Sequence, residues 1–340
     1  MKRVPALALA ALLAALPSSL LAWGGSGHRM IGIAAMRGLP ADLPAFLRTP
    51  QAIADVGELS REPDRVKRAG PASDTDREAA HFVDLTDEGR VSDGKVLTGP
   101  PLTPLLPSRE AFEAQLRAAG MEQWKTGYLP YSILDRWQQL ALDFAYWRVL
   151  TAAEANPAWA AHQAWFKADR ARREALILEE IGELSHFVGD GSQPMHVSIH
   201  YNGWGEYPNP NGYSTARLHA PFEGALVQAT VTQAAVEKAM SPPKTCDCAV
   251  EQQVGDYLLA TSREIVPFYE MEKAGGMAQG DPRGTAFAVQ RLAVGASELR
   301  DLIAEAWQAS LNRSVGWRPV TVQDVLSGKT DPYNALYAVD

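Results

Sequence analysis

Apolar residues recur at helical spacing along most of the chain, and no stretch sustains the strict alternation of a half-buried strand. The pattern predicts helices over 28–37, 133–155, 173–188, 217–240, 251–274 and 285–311. Trp137, Phe144 and Trp147 fall near helical spacing in the second of these and read as core residues. Segment 98–108 carries four prolines, and 201–213 is a turn-rich loop with Trp204, Tyr207 and Tyr213 in it. Neither an internal repeat nor a linker parts the chain, so the expectation is an all-α protein, one multi-helix domain, with the tail 317–340 wrapping its surface.

The first residues read as an address. Lys2 and Arg3 precede an apolar run over 6–16, which Pro17, Ser18 and Ser19 break before Ala22. That run is too short to span and stay as a membrane anchor, so 1–22 is expected to be a signal peptide cut after Ala22. The protein would then be secreted or periplasmic and begin at Trp23, with 318 residues left of 340 and the net charge moved from −8 to −10. An acidic chain argues against a broad basic face for duplex nucleic acid. With 46% hydrophobic and 21% charged residues it is too apolar for disorder, and its two cysteines exclude a disulfide scaffold. Cys246 and Cys248 stand one residue apart and read as free thiols or a labile pair.

Seven histidines carry the candidate chemistry: His28, His81, His162, His186, His196, His200 and His219. His186 and Asp190 lie four residues apart, on one helix face, where an imidazole and a carboxylate reach the same ion. His219 and Glu223 repeat that spacing. Gln193-Pro194-Met195-His196 turns the chain and returns another imidazole to the first pair. Facing helices that carry such pairs suit a metal in a bundle interior, and nitrogen and oxygen donors without cysteine suit zinc ahead of iron or manganese. Capping or salt-bridging histidines are the alternative. His81 and Asp84 follow an acidic segment in which Asp64 and Asp55 compete as a further ligand. A freed amine and the carbonyl at Trp23 can chelate an ion, with His28 brought back to them through Gly24, Gly25 and Gly27.

Taken in order, Trp-Gly-x-x-Gly-His from Trp23, His-Phe-x-Asp from His81, His-x-x-x-Asp-x-x-Gln-Pro-x-His from His186 and His-x-x-x-Glu from His219 resemble the superfamily of single-strand-specific zinc nucleases and zinc-dependent phospholipases C. The resemblance implies an all-α fold with a trinuclear zinc cleft between helices. It implies one ion on Asp64, His81, His186 and Asp190, and a second on His196, His219 and Glu223. A third falls to His28, Asp190 and the amine and carbonyl of Trp23. It favours Asp64 over Asp55 and gives Asp64, Lys67 and Asp190 catalytic roles, Lys67 as a partner of the phosphate. Zinc lowers the pKa of water toward about 7, which supplies hydroxide at neutral pH, and the ions bring positive charge into an acidic protein.

Two substrates share that chemistry. The spacing from Trp23 to His28 is the nuclease one, and Phe82 would stack on an unpaired base whose edge Asp84 bonds. Glu223 as the last ligand resembles the phospholipases, and in the loop Trp204, Tyr207 and Tyr213 offer grips for a lipid interface, for a base or for each other. The expectation is an endonuclease on single-stranded DNA or RNA, with 3′-nucleotidase activity a possible companion. Phospholipase C is the second reading and a non-catalytic metal-binding protein the third. No obligate protein partner is evident.

Overall fold

The computed structural model describes residues 23–337; the leader expected over 1–22 lies outside them. Among the described residues fifteen α-helices follow one another: α1 (Gly24–Arg37), α2 (Pro50–Leu59), α3 (Glu62–Val66), α4 (Asp74–Ala79), α5 (Arg109–Ala118), α6 (Gln123–Thr126), α7 (Leu129–Ala155), α8 (Gln163–Ser192), α9 (Val227–Thr230), α10 (Gln233–Ala239), α11 (Val250–Ser262), α12 (Ile265–Lys273), α13 (Pro282–Ala309), α14 (Val322–Leu326) and α15 (Tyr333–Tyr337). Among the described residues the only strands are a two-residue antiparallel pair, Ser314–Val315 with Val320–Thr321. The fold is all-α.

α7 and α8 form the antiparallel spine, and α1 is inserted against α2, α8 and α13. Small residues set that closeness. A Cβ on Gly182 of α8 would lie 2.5 Å from the Leu59 Cβ, and one on Gly32 of α1 would lie 3.2 Å from the Ser185 Oγ. The core runs through Ile31, Phe144, Ile181, Leu184, Leu299 and Ile303, all fully buried. Phe144 sits in it as the helical spacing predicts, while Trp137 and Trp147 are half-buried with their indoles bonded to Leu302 O and Glu174 Oε1.

Several boundaries differ from the hydrophobic pattern. α1 begins four residues before His28, so the glycines form its first turn instead of a loop folding back: the Gly27 N–H donates to the Trp23 carbonyl at 3.1 Å. The single helix expected over 217–240 is a π-helical turn, Pro221–Leu226, then α9 and α10, broken by the β-branched pair Val231-Thr232. The one expected over 251–274 is split into α11 and α12, with Pro267 in the first turn of the second. Of the expected tail, described as far as Tyr337, Val322 and Val325 pack against the far end of α7. Cys246 and Cys248 form a disulfide on the strap that crosses α13. There the Lys244 and Cys246 amides donate to Asp301 and Glu305. No helix among the described residues is long and apolar enough to cross a membrane.

Candidate metal centre

The carboxyl end of α8 lies in the middle of the protein, where its last carbonyls have no helical partner. Buried side chains from across the fold satisfy them. Tyr257 Oη donates to Val188 O at 2.7 Å, Trp23 Nε1 to Gly189 O at 2.8 Å, and Arg291 Nε to Ser192 O at 2.8 Å. Asp190 is thereby fixed within one turn. Glycines flank it because both sides are crowded. A Cβ at 189 would lie 2.9 Å from the His28 Nδ1, and one at 191 would lie 2.8 Å from the Tyr257 ring.

Around Asp190 the sequence-distant imidazoles converge. Its Oδ2 is 3.0 Å from His81 Nδ1 and 3.3 Å from His186 Nε2, and its Oδ1 is 3.5 Å from His28 Nε2. His186 Nε2 stands 2.9 Å from His81 Nδ1 and 3.9 Å from Asp64 Oδ1. On the other side, Glu223 Oε1 is 2.7 Å from His219 Nε2 and 3.2 Å from His196 Nε2, and those two ring nitrogens are 3.0 Å apart. Three buried or nearly buried groups result: His28–His186–Asp190, Asp64–His81–His186 and His196–His219–Glu223. Each can hold a metal ion.

The fit to a cation rests on which atoms face inward. His186 Nδ1 donates to Ser60 O at 2.9 Å, His196 Nδ1 to His81 O at 2.7 Å, and His219 Nδ1 to Tyr201 O at 2.7 Å. A carbonyl only accepts, so each bond fixes the proton on Nδ1 and turns the Nε2 lone pair to the centre, as metal-binding histidines require. Gln193 does the same for the carboxylate, its amide donating to Glu223 Oε1 at 2.5 Å. Lone pairs that face one another across 3 Å repel unless a proton or cation lies between them. Donors about 2.0–2.1 Å from one tetrahedral ion stand about 3.3 Å apart, close to the spacings observed. Buried polar atoms also stand without a hydrogen-bond partner here: both His28 nitrogens, Asp190 Oδ1 and Glu223 Oε2.

Electrostatics divides the imidazoles into two kinds. Burial drives His28 down to about 3, with His186 adding to it, and drives His81 down to about 4 against the pull of Asp190. Burial opposes the charge on His196 too, but Asp190 and Glu223 outweigh it and hold that ring up at about 9. Burial likewise opposes charge on Asp190, yet His186 and His196 keep its carboxyl well below the usual range. Without metal, protons on some rings take the place of cations. The Gly189→Ala substitution tests the crowding directly: its methyl would push the His28 ring, and overpacking of this kind costs roughly 1–3 kcal/mol. Titration of the variant with zinc should show weakened binding at the His28 group with no ligand removed; unchanged affinity would refute the contact.

A cleft of about 680 Å³ opens onto the centre, with Lys67, His81, His196 and His219 at its base. Asp64 is the aspartate brought to it, whereas Asp55 accepts a bond from Gln51 on α2. Lys67 lines the cleft with its ammonium 2.8 Å from Asp64 Oδ1. Phe82, Asp84 and Tyr207 also line it, and burial pushes the Asp84 carboxyl well above its ordinary range. Trp204 does not. It is 4% exposed and stacked on His200 at 3.7 Å, with the His200 Nδ1 donating to the Trp204 carbonyl. That is a correction to the reading of Trp204 as a substrate contact: the aromatic loop is folded on itself, Tyr213 included. Trp23 lies fully buried beside Asp190's turn.

Tyr201, Trp124, Lys125, Asp93 and Glu78 share the cleft as well. No local signal marks them; they reach it by tertiary pairing. Neither a family model nor a curated protein matches this chain.

Proposed function

We propose that the protein is an exported zinc-dependent phosphodiesterase that hydrolyses single-stranded DNA or RNA, acting as an endonuclease. The observation that carries this reading is the convergence of inward-turned imidazole and carboxylate donors at the base of a cleft with aromatic walls. Three zinc ions would be held: by Asp64, His81, His186 and Asp190; by His196, His219 and Glu223; and by His28, Asp190 and the amine and carbonyl of a Trp23 freed from the leader. Bound zinc supplies a water of lowered pKa and positive charge for the phosphorane-like transition state.

The chain's own groups do the rest. Asp64 orients the attacking water and accepts its proton as the water oxygen bonds to phosphorus and the P–O bond to the leaving sugar oxygen breaks, that oxygen taking up a proton in turn; Asp64 and Lys67 are joined as an ion pair. Lys67 turns its ammonium to a non-bridging oxygen. Phe82 offers a face to an unpaired base. Asp84, its carboxyl pushed up by burial, meets the base edge as a hydrogen-bonding partner. Stacking on Phe82 is worth about 1–3 kcal/mol. Phe82→Ala should therefore weaken nucleotide binding roughly tenfold or more with metal content intact; unaltered affinity would make Phe82 a packing residue only.

One observation favours the second reading, a phospholipase C. Aromatic walls set beside Glu78, Asp84 and Asp93 also suit a quaternary ammonium head group. The test offers single-stranded DNA, RNA, 3′-mononucleotides and phosphatidylcholine side by side to the processed, zinc-loaded protein. Cleavage of the nucleic acids supports the proposal. Release of phosphocholine with the nucleic acids untouched overturns it.

A further inference from the structure

Trp124 is an exception among the tryptophans of the cleft region. It is 50% exposed, whereas Trp23 and Trp204 are buried. An indole carries a large apolar surface, and leaving half of it in water forgoes stabilisation that burial would give. It is not on a loose loop. The last residue of α6 and the residues that follow it pair with the segment that supplies His81, Phe82 and Asp84. The Asp84 amide donates to Thr126 O at 2.8 Å, Leu129 to Phe82 O at 3.0 Å, and Tyr128 to Ala79 O at 3.0 Å. Ahead of the helix, the Glu122 amide donates to Asp93 Oδ2 at 3.2 Å. The backbone on either side of Trp124 is thus tied to the segment of a metal ligand, and Trp124 lines the same cleft. Lys125 lies beside it, its ammonium 4.8 Å from the ring centre and 2.7 Å from Glu122 Oε1.

We infer that Trp124 and Lys125 form a second nucleotide subsite, in which the indole stacks on a base next to the one at the metal centre and the ammonium meets the intervening phosphate. This rests on the nucleic-acid reading above. The pairing chooses among ligands of the cleft. A flat π face accepts any base, and a cation beside it attracts phosphate and repels a quaternary ammonium. The protein is then selective for oligomers: substrates that reach Trp124 gain affinity that a mononucleotide or a small diester lacks. Lys125 also gives that gain a salt dependence.

The experiment compares kcat/KM for a single-stranded hexadeoxynucleotide with that for bis(p-nitrophenyl) phosphate in the zinc-loaded protein. Trp124→Ala should lower the ratio of the two about tenfold, equivalent to about 1.4 kcal/mol, with the loss in KM. Trp124→Phe should retain most of the ratio. Trp124→Leu, which keeps apolar bulk beneath Lys125 but has no π face, should lose it as the alanine does. Lys125→Ala should flatten the salt dependence of oligonucleotide binding by about 0.7 in log–log slope. A ratio within twofold of wild type in both Trp124→Ala and Trp124→Leu overturns the subsite, as does Trp124→Leu behaving like Trp124→Phe. Wild-type protein that cleaves the small diester and leaves the oligonucleotide intact overturns the nucleic-acid reading instead, and the subsite with it.

Discussion

Asp190→Asn should reduce phosphodiesterase activity by at least about a thousandfold and strip metal from two of the three groups. The size of the effect follows from position. Asp190 is fully buried, its two oxygens face His28, His81 and His186 within 3.5 Å, and one stands unpartnered. The amide that replaces it has nearly the same shape, so the turn held by Tyr257, Trp23 and Arg291 remains. It lacks the charge, and it offers one acceptor where two are used. The His196–His219–Glu223 group makes its closest contacts without Asp190 and should keep its ion. Metal analysis beside a rate assay checks both halves. Full occupancy with wild-type turnover would remove Asp190 from the centre.

The second large effect concerns the protein stripped of metal. His196 is held up at about 9 when folded, against about 6.5 unfolded, so the folded state binds the extra proton between those values. Its contribution is complete below about pH 6.5 and is lost as pH rises through 9, on the order of 3 kcal/mol. His186, also raised in spite of burial by its contact with Asp190, works in the same direction. On the acid side, His28 and His81 stay neutral in the fold down to about 3 and 4, and an unfolded chain takes up those protons first, so stability falls below pH 6.5 as well. Chelated protein should therefore be most stable near pH 6–7 and unfold at lower temperature at pH 9. Zinc-loaded protein should not lose stability over that range, since metal displaces the protons and competes with fewer of them as pH rises. Thermal unfolding with chelator and with zinc at both pH values checks this. Identical profiles would mean that the rings are not metal ligands.

What could be seen in the sequence follows from how local each cause is. His186 and Asp190 were legible because a helix repeats every 3.6 residues, and α8 continues unbroken through both. His196 was legible because a proline forces the turn after α8, observed as the short 3₁₀ segment Pro194–His196. His219 and Glu223 come together as expected, though Glu223 lies on a π-helical turn, Pro221–Leu226, that follows His219 and that their spacing does not reveal. Asp64 was another matter. The residue pattern by itself left it level with Asp55 and the resemblance favoured it; the packing of α3 against α8 is what brings it to His81 and His186. Trp204 misled because an aromatic in a glycine-rich loop looks exposed, while it is covered by Tyr213 of its own loop and by His200 and Tyr269 beside it. Trp124 went unseen for the converse reason: its exposure depends on α6 pairing with the strand-like segment after His81, forty residues away in sequence.

Metal content measured on the active protein decides whether the buried donors form a catalytic centre. Elemental analysis of chain processed to Trp23, with turnover on single-stranded DNA measured on the same sample, should give close to three zinc ions per chain. Activity should vanish on chelation and return with zinc. Processed protein that turns over DNA while free of transition metal would contradict it.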